Sequence, residues 1–265
     1  MDVHKPKPIH GWREFVTEIG IIVIGVLIAL SAEQVVETIH WQHKMRELRA
    51  AMVNELTADG APEAYFRLAT HDCLERYLDN LQDVAEAGGD RVTVAGLAGT
   101  YPGYVPALLT WDMEAWRSFV AADGTAHMPT DEIVKWTMPY LAIPPLQHYP
   151  EDEREAMGAL QSIQPAPGRM SPAELEALAR ALQRIRTDND WIQNYSTFLL
   201  GSLRRSGLKL DARALDGLYH SQTMTRFQRS LEVAHLSGCT VKPDLANLQL
   251  RAAPSMPETT AAKPR

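Results

Sequence analysis

Cysteine is nearly absent: the 265 residues hold two, Cys73 and Cys239. They form neither a C-x-x-C pair nor a zinc-ligand spacing, which argues against a dithiol redox motif or a cysteine-built zinc module. Phenylalanine is scarce, at five residues, and the only β-like fragment is Arg91-Val-Thr-Val-Ala95, too short to define a sheet. No basic stripe is interleaved with aromatics, and the formal net charge is −7, so nucleic acid is not an expected partner. The sequence also lacks G-x-S-x-G, a Walker loop, a dinucleotide-binding glycine fingerprint and H-E-x-x-H. Gly201-Ser202 falls inside a helical pattern, without the strand-to-helix setting that a nucleophile needs. No motif therefore implies a catalytic residue, a metal site or a cofactor, and no internal repeat is present.

What the chain has in abundance is alanine and leucine, which suit helices. It also has one long uncharged run, Ile19–Ala32, IGIIVIGVLIALSA. Fourteen residues make about 21 Å of helix, short of a hydrocarbon core of about 30 Å. The apolar character continues, however, through Phe15 and Val16 on one side and Val35, Val36 and Ile39 on the other. The only charges between Phe15 and Ile39 are Glu18, Glu33 and Glu37, all near the ends. Trp12 and Trp41 frame the segment as interfacial anchors. Their separation on a continuous helix is about 43 Å, comparable with a bilayer including its headgroups. Ala29-Leu30-Ser31 has the shape of a signal-cleavage site, but the helical pattern runs on through EQVVETIHW without a break. An uncleaved signal-anchor is the favoured reading over a cleaved signal or a soluble core helix.

On a helical wheel Glu18, Gly25, Ala29, Ala32 and Glu33 share one stripe. Gly25-x-x-x-Ala29 is a small-xxx-small pair that lets two helix backbones approach closely. Carboxylates at a bilayer edge usually face protein or water rather than lipid. The stripe reads either as an association face, for a second copy or a membrane-protein partner, or as ordinary interfacial polar residues. Basic residues flank the span three against three, so charge alone does not orient it. A short N-terminal tail before a signal-anchor commonly stays in the cytoplasm. The expected location is therefore the inner (cytoplasmic) membrane, with the N-terminus cytoplasmic and the C-terminal domain periplasmic.

The pattern predicts an all-α chain: a transmembrane helix continuing into a soluble multi-helix bundle. Residues 1–11 read as a disordered tail. Residues 12–57 read as the transmembrane helix, spanning about 17–38, with its soluble extension. Residues 58–250 read as a helical domain, and 251–265 as a second disordered tail. Asp59-Gly60-Ala61-Pro62 is expected to stop the first helix. Further helices are expected over about 62–87, 107–121, 131–142, Pro150–Ile163, 171–205, 211–219 and 222–236. Ser171-Pro172-Ala173-Glu174 is a strong helix start.

Side chains that could carry chemistry are few. Outside the cytoplasm, Cys73 and Cys239 could close a long-range disulfide, worth about 4–5 kcal/mol in the chain-entropy model; the alternative is two buried thiols. Trp111, Trp116 and Trp136, with Tyr101, Tyr104 and Tyr140, read as core or as the lining of a ligand pocket. Glu37-x-x-His40 has the carboxylate–histidine spacing of di-iron bundles and is read as interfacial. His235-x-x-x-Cys239 is interrupted by Gly238. Arg184, Arg186, Arg204 and Arg205 read as a solvated face rather than an anion site.

His10-Gly-Trp-Arg-Glu-Phe15, Glu18-Ile19, IVIGVLIAL at 22–30, Glu33-Gln34 and His40-Trp41 together resemble the N-terminus of a group of uncharacterised bacterial single-span membrane proteins. Thr110-Trp111 and Ala126-His127-Met128-Pro129 are similar to a later patch of the same group. The resemblance covers about the first 45 residues. It implies one N-terminal span and a helical remainder. That group has no assigned activity, so no catalytic residue carries over. Three functional readings follow: a membrane-anchored binding, scaffold or accessory subunit; a ligand-sensing domain that signals through a membrane partner; and an enzyme with an unrecognised site. If the small-residue stripe mediates association, Gly25→Leu should weaken dimer crosslinking in membranes several-fold; unchanged crosslinking would exclude that face.

Overall fold

The computed structural model describes residues 11–100, 111–221 and 225. These residues are all-α, with no strand among them. In order, the helices described are α1 (Trp12–Asn54), α2 (Ala61–Glu86), α3 (Arg91–Thr100), α4 (Glu114–Ala121), α5 (Thr130–Tyr140), α6 (Ile143–Gln161), α7 (Pro172–Arg205) and α8 (Ala212–Tyr219). The chain divides into two units, one to Ala50 and one from Ala51.

In the first unit α1 runs without interruption across the uncharged stretch, and it is long and apolar enough to cross a membrane. Ile21, Ile22, Ile24, Leu27, Ile28 and Leu30 are all exposed. Its three hydroxyl side chains before Trp41 bond back to carbonyls four residues earlier: Thr17 to Arg13, Ser31 to Leu27 and Thr38 to Gln34. Those hydroxyls need no water.

The second unit begins with a departure from the sequence expectation. Asp59-Gly60-Ala61-Pro62 does not stop the helix, and the boundary expected at residue 57 is not a break. A π-helical turn, Glu55–Gly60, joins α1 to α2 directly. Gly60 keeps helical angles (φ −63°, ψ −42°), and the Ala61 N–H donates to the Leu56 carbonyl five residues back. Pro62 has no N–H to give to the next carbonyl in that register, Thr57. That carbonyl accepts from the Asp211 N–H instead, at 3.0 Å. Asp211 in turn caps α8 through the N–H groups of Arg213 and Ala214. The widened turn thus exchanges a missing helix bond for a tertiary one.

The same turn positions α4 and α5. Glu55 is buried, and one carboxylate oxygen accepts from the Ala115 N–H at 2.8 Å while the other accepts from the Tyr140 hydroxyl at 2.7 Å. Burial, and then the Glu55 hydrogen bond, push the Tyr140 phenol well above its ordinary range.

The core lies where α7 packs along both α2 and α6. It contains Phe66, Leu74, Tyr77, Leu78 and Leu81 from α2, Met157 and Leu160 from α6, and Leu178, Leu182 and Ile185 from α7. α3 covers one side with Val94 and Ala98. Arg91–Ala95, read from sequence as β-like, is therefore helical. Asp90 accepts from the Thr93 N–H at 2.9 Å as an N-cap, and burial of Val94 outweighs β-branched propensity.

Other ends were shifted. α6 begins at Ile143 with proline in its first turn, and Pro150 lies inside it rather than at its start. Thr130 is the first residue of α5, with no side-chain cap from Pro129 before it. The helix expected over 107–121 is helical from Glu114, and residues 101–110 lie outside the described residues, as does the expected helix 222–236 apart from Thr225. The Ser171 start is as expected, a full capping box with Glu174. Two glycines test this packing in opposite directions. A Cβ on Gly124 would fall 2.3 Å from the fully buried ring of Phe119, whereas one on Gly158 would meet nothing within 4 Å. Gly124→Ala should cost about 1–3 kcal/mol in an unfolding titration, and Gly158→Ala, at an exposed position in mid-helix, should gain up to about 1 kcal/mol.

Candidate functional site

Charged and polar side chains occupy core positions on three facing helices. On α6 the buried register runs Ile143, Leu146, Glu153, Met157, Leu160. On α7 it runs Leu182, Ile185, Asn189, Ile192, Ser196, Leu199. On α2 Arg67 is buried next to Phe66. Arg67 Nη2 donates to Glu153 Oε1 at 3.1 Å and to Asn189 Oδ1 at 3.3 Å. Glu153 is 0% exposed and Arg67 2%. Ions are that deeply buried almost only when paired.

The network continues outward along the α2–α7 seam. The Asn189 amide donates to Glu75 Oε1 at 2.7 Å. Arg186 donates to Glu75 at 3.2 Å, to Asp79 at 2.7 Å and to Gln82 at 3.2 Å. One turn before Glu75, His71 faces two carboxylates: Nδ1 lies 3.1 Å from Asp72 and Nε2 3.3 Å from Asp190 of α7. Ligating atoms of His71, Glu75 and Asp190 all lie within 4.8 Å of one another.

On the α6–α7 side Arg184 bridges Asp152 at 2.7 Å and Asp188 at 3.1 Å, and His148 approaches Asp152 at 3.4 Å. Beside them Tyr149, Trp191 and Tyr195 stack mutually, with centroids 5.9–6.0 Å apart and Trp191 exposed. Burial raises the Asp188 carboxyl against the opposing pull of Arg184. Desolvation pushes Glu153 up to about 7, with Arg67 opposing and Asp188 and Glu75 adding to it.

The residues singled out from sequence are elsewhere. Trp12, Glu18, Gly25, Ala29, Ala32 and Glu33 are all exposed on α1, and Trp41, partly exposed, has Lys44 over its ring at 4.7 Å. Trp111 is buried, and Trp116 stacks between Phe119 and Tyr140 at 5.4 and 5.1 Å. Trp136 bonds to Glu132 at 3.5 Å. None of the three tryptophans lines either of the two open grooves described below. Tyr101 and Tyr104 lie outside the described residues. So do His235 and Cys239; Cys73, buried on α2, is disulfide-bonded. Arg184 and Arg186 belong to the ion-pair network rather than to a bare solvated face, and Arg205 donates to Ser202.

The grooves flank α7. One, of about 390 Å³, runs between α2 and α7 past Gln82, Glu86, Leu178 and Arg186. The other, of about 410 Å³, lies between α6, α7 and Arg91 of α3. No family profile, no curated protein and no solved structure matches this chain.

Sequence reasoning missed the seam. Its signal was a charge at a core register on three helices, with complementary signs: Arg67, Glu153 and the amide of Asn189. Because the folded chain holds the Glu153 proton more tightly than the unfolded chain does, this residue's contribution to stability falls as pH rises from about 4.5 to about 7 and is flat above. Glu153→Gln removes that titration. Relative to wild type, the variant should gain up to about 3 kcal/mol between pH 4.5 and pH 8 in unfolding measurements. A pH-independent difference would contradict the assignment.

Proposed function

We propose that this chain is a single-pass protein of the bacterial inner membrane, with a cytoplasmic N-terminus and a periplasmic helical domain that serves as a binding or accessory subunit of an envelope complex. The observation that carries the reading is α1, which is long and apolar enough to cross a membrane and whose large aliphatic side chains from Ile19 to Leu30 are exposed among the described residues. Leaving that many large aliphatic side chains in water would cost tens of kcal/mol at about 1.5–3 kcal/mol each. A bilayer removes the cost. The back-bonded hydroxyls of Thr17, Ser31 and Thr38 suit hydrocarbon, where unsatisfied polar groups are expensive. Trp12 and the Trp41–Lys44 pair suit the two interfaces.

Orientation draws support from Cys73. A disulfide at that residue persists in an oxidising compartment, which the periplasm is and the cytoplasm is not. Cys239, the only other cysteine, is its proposed partner. Association through the Gly25 stripe is compatible with the open space around that glycine, which the chain's own packing does not require. A second reading, a ligand-sensing domain acting through a membrane partner, is favoured by the grooves beside α7 and by the exposed Tyr149–Trp191–Tyr195 cluster.

Fusions of the C-terminus to a reporter active only in the periplasm, alongside one active only in the cytoplasm, test the topology. The periplasmic reporter should be active, and the protein should run faster on a denaturing gel before reduction than after. An active cytoplasmic reporter would overturn the orientation, and mobility unchanged by reduction would rule out the Cys73–Cys239 bridge.

A further inference from the structure

We propose that His71, Glu75 and Asp190 form a site for a first-row divalent cation, of which Zn²⁺ is the fitting probe, at the solvent edge of the α2–α7 seam. His71 and Glu75 are one turn apart on α2, so both side chains leave the same face of that helix. Asp190 comes from α7, 119 residues away in sequence from His71. The three bring one nitrogen and two carboxylates within 4.8 Å of one another. Imidazole with carboxylate is a donor set that zinc and its neighbours accept.

The histidine geometry is specific. A neutral imidazole has one N–H donor and one bare nitrogen, yet both nitrogens of His71 face carboxylates, which only accept. If Nδ1–H donates to Asp72, then Nε2 presents a lone pair towards Asp190, and two electron-rich atoms meet at 3.3 Å. In that tautomer a cation fits between Nε2, Asp190 and Glu75, whose ligating atoms already converge. Asp72 then becomes the carboxylate that fixes the ring tautomer behind the metal, a recurrent partner of metal-bound histidine.

The remaining requirements are met nearby. Asn189 and Arg186 hold Glu75 from the protein side, and Asn189 is itself held by Arg67, so this ligand is positioned before any ion arrives. Glu75 and Asp79 face the guanidinium of Arg186, while Asp72 and Asp190 face the two nitrogens of His71. Ligand atoms around a cation with bonds of about 2.1 Å lie about 3–4 Å apart. The His71–Asp190 separation already satisfies this, and Asp190, 65% exposed, is free to close on the ion. Three protein ligands leave further positions to water on the open side.

The test uses the purified full-length chain in detergent, stripped of metal with a chelator and titrated with Zn²⁺ by calorimetry and by equilibrium dialysis. The expected result is one equivalent of Zn²⁺ per chain and a rise in Tm on binding. Asp190→Asn and His71→Ala should each weaken binding by at least about 100-fold, and Asp72→Asn, behind the ligand, by about 10-fold. His43→Ala, on α1, should bind as wild type does. Asp190 is exposed, so its variant stays informative should the His71 variant fail to fold. Substoichiometric binding, or wild-type affinity in Asp190→Asn, would overturn the site.

Discussion

A guanidinium cannot sit in a protein core without acceptors for its N–H groups, and Arg67 sits there. That requirement joins the three main helices of the second unit. α6 must present Glu153 at 3.1 Å, and α7 must present Asn189 at 3.3 Å. Asn189 then holds Glu75, and Arg186 holds Glu75 together with Asp79. A slip of α7 by one turn would take Asn189 from Arg67, and a slip of α6 would part Glu153 from Arg67 and leave both desolvated against aliphatic side chains, at a cost of several kcal/mol. Apolar packing by Leu74, Leu78, Leu182 and Ile185 supplies the bulk of the driving force, but packing of aliphatic side chains tolerates alternative registers. The polar seam does not.

A second constraint operates at Pro62. Its missing N–H frees the Thr57 carbonyl, and Asp211 takes it up, so a residue that would end most helices here holds α8 in place. Glu55, in the same π-helical turn, caps α4 and receives the Tyr140 hydroxyl of α5. π-helical turns inside α-helices frequently mark functional positions, and this one gathers three later elements onto six residues.

Much of the architecture was legible in the sequence. The uncharged run, the end of α2 expected near residue 87, the capping box at Ser171 and the end of α7 expected at residue 205 follow from local rules that tertiary contacts do not override. The continuity through Gly60-Pro62 was not legible, because it depends on Asp211, which supplies the missing bond from far along the chain. Helix α3 was misread because Val92, Thr93 and Val94 have strand propensity, while the Asp90 cap and the buried face of Val94 decide otherwise. The ion-pair seam left a readable trace, charge at core positions. The pairing of Arg67 with Glu153, and of His71 with Asp190, requires knowing which helices face each other, and spacing along one helix does not contain that. The tryptophans attracted notice for their size and proved to serve separate local roles, Trp116 in a stack and Trp111 in the core.

The measurement that bears most directly on this account is a double-mutant cycle on the full-length chain, Arg67→Met and Glu153→Leu singly and together, followed by unfolding of the helical signal. Each single substitution strands a buried partner and should cost about 3–5 kcal/mol. If the pair is the constraint that sets the helix register, the double variant should recover much of that loss, with a coupling energy of at least about 2 kcal/mol. Additive losses, within about 0.5 kcal/mol, would mean that Arg67 and Glu153 are independently accommodated and that the seam does not specify the fold.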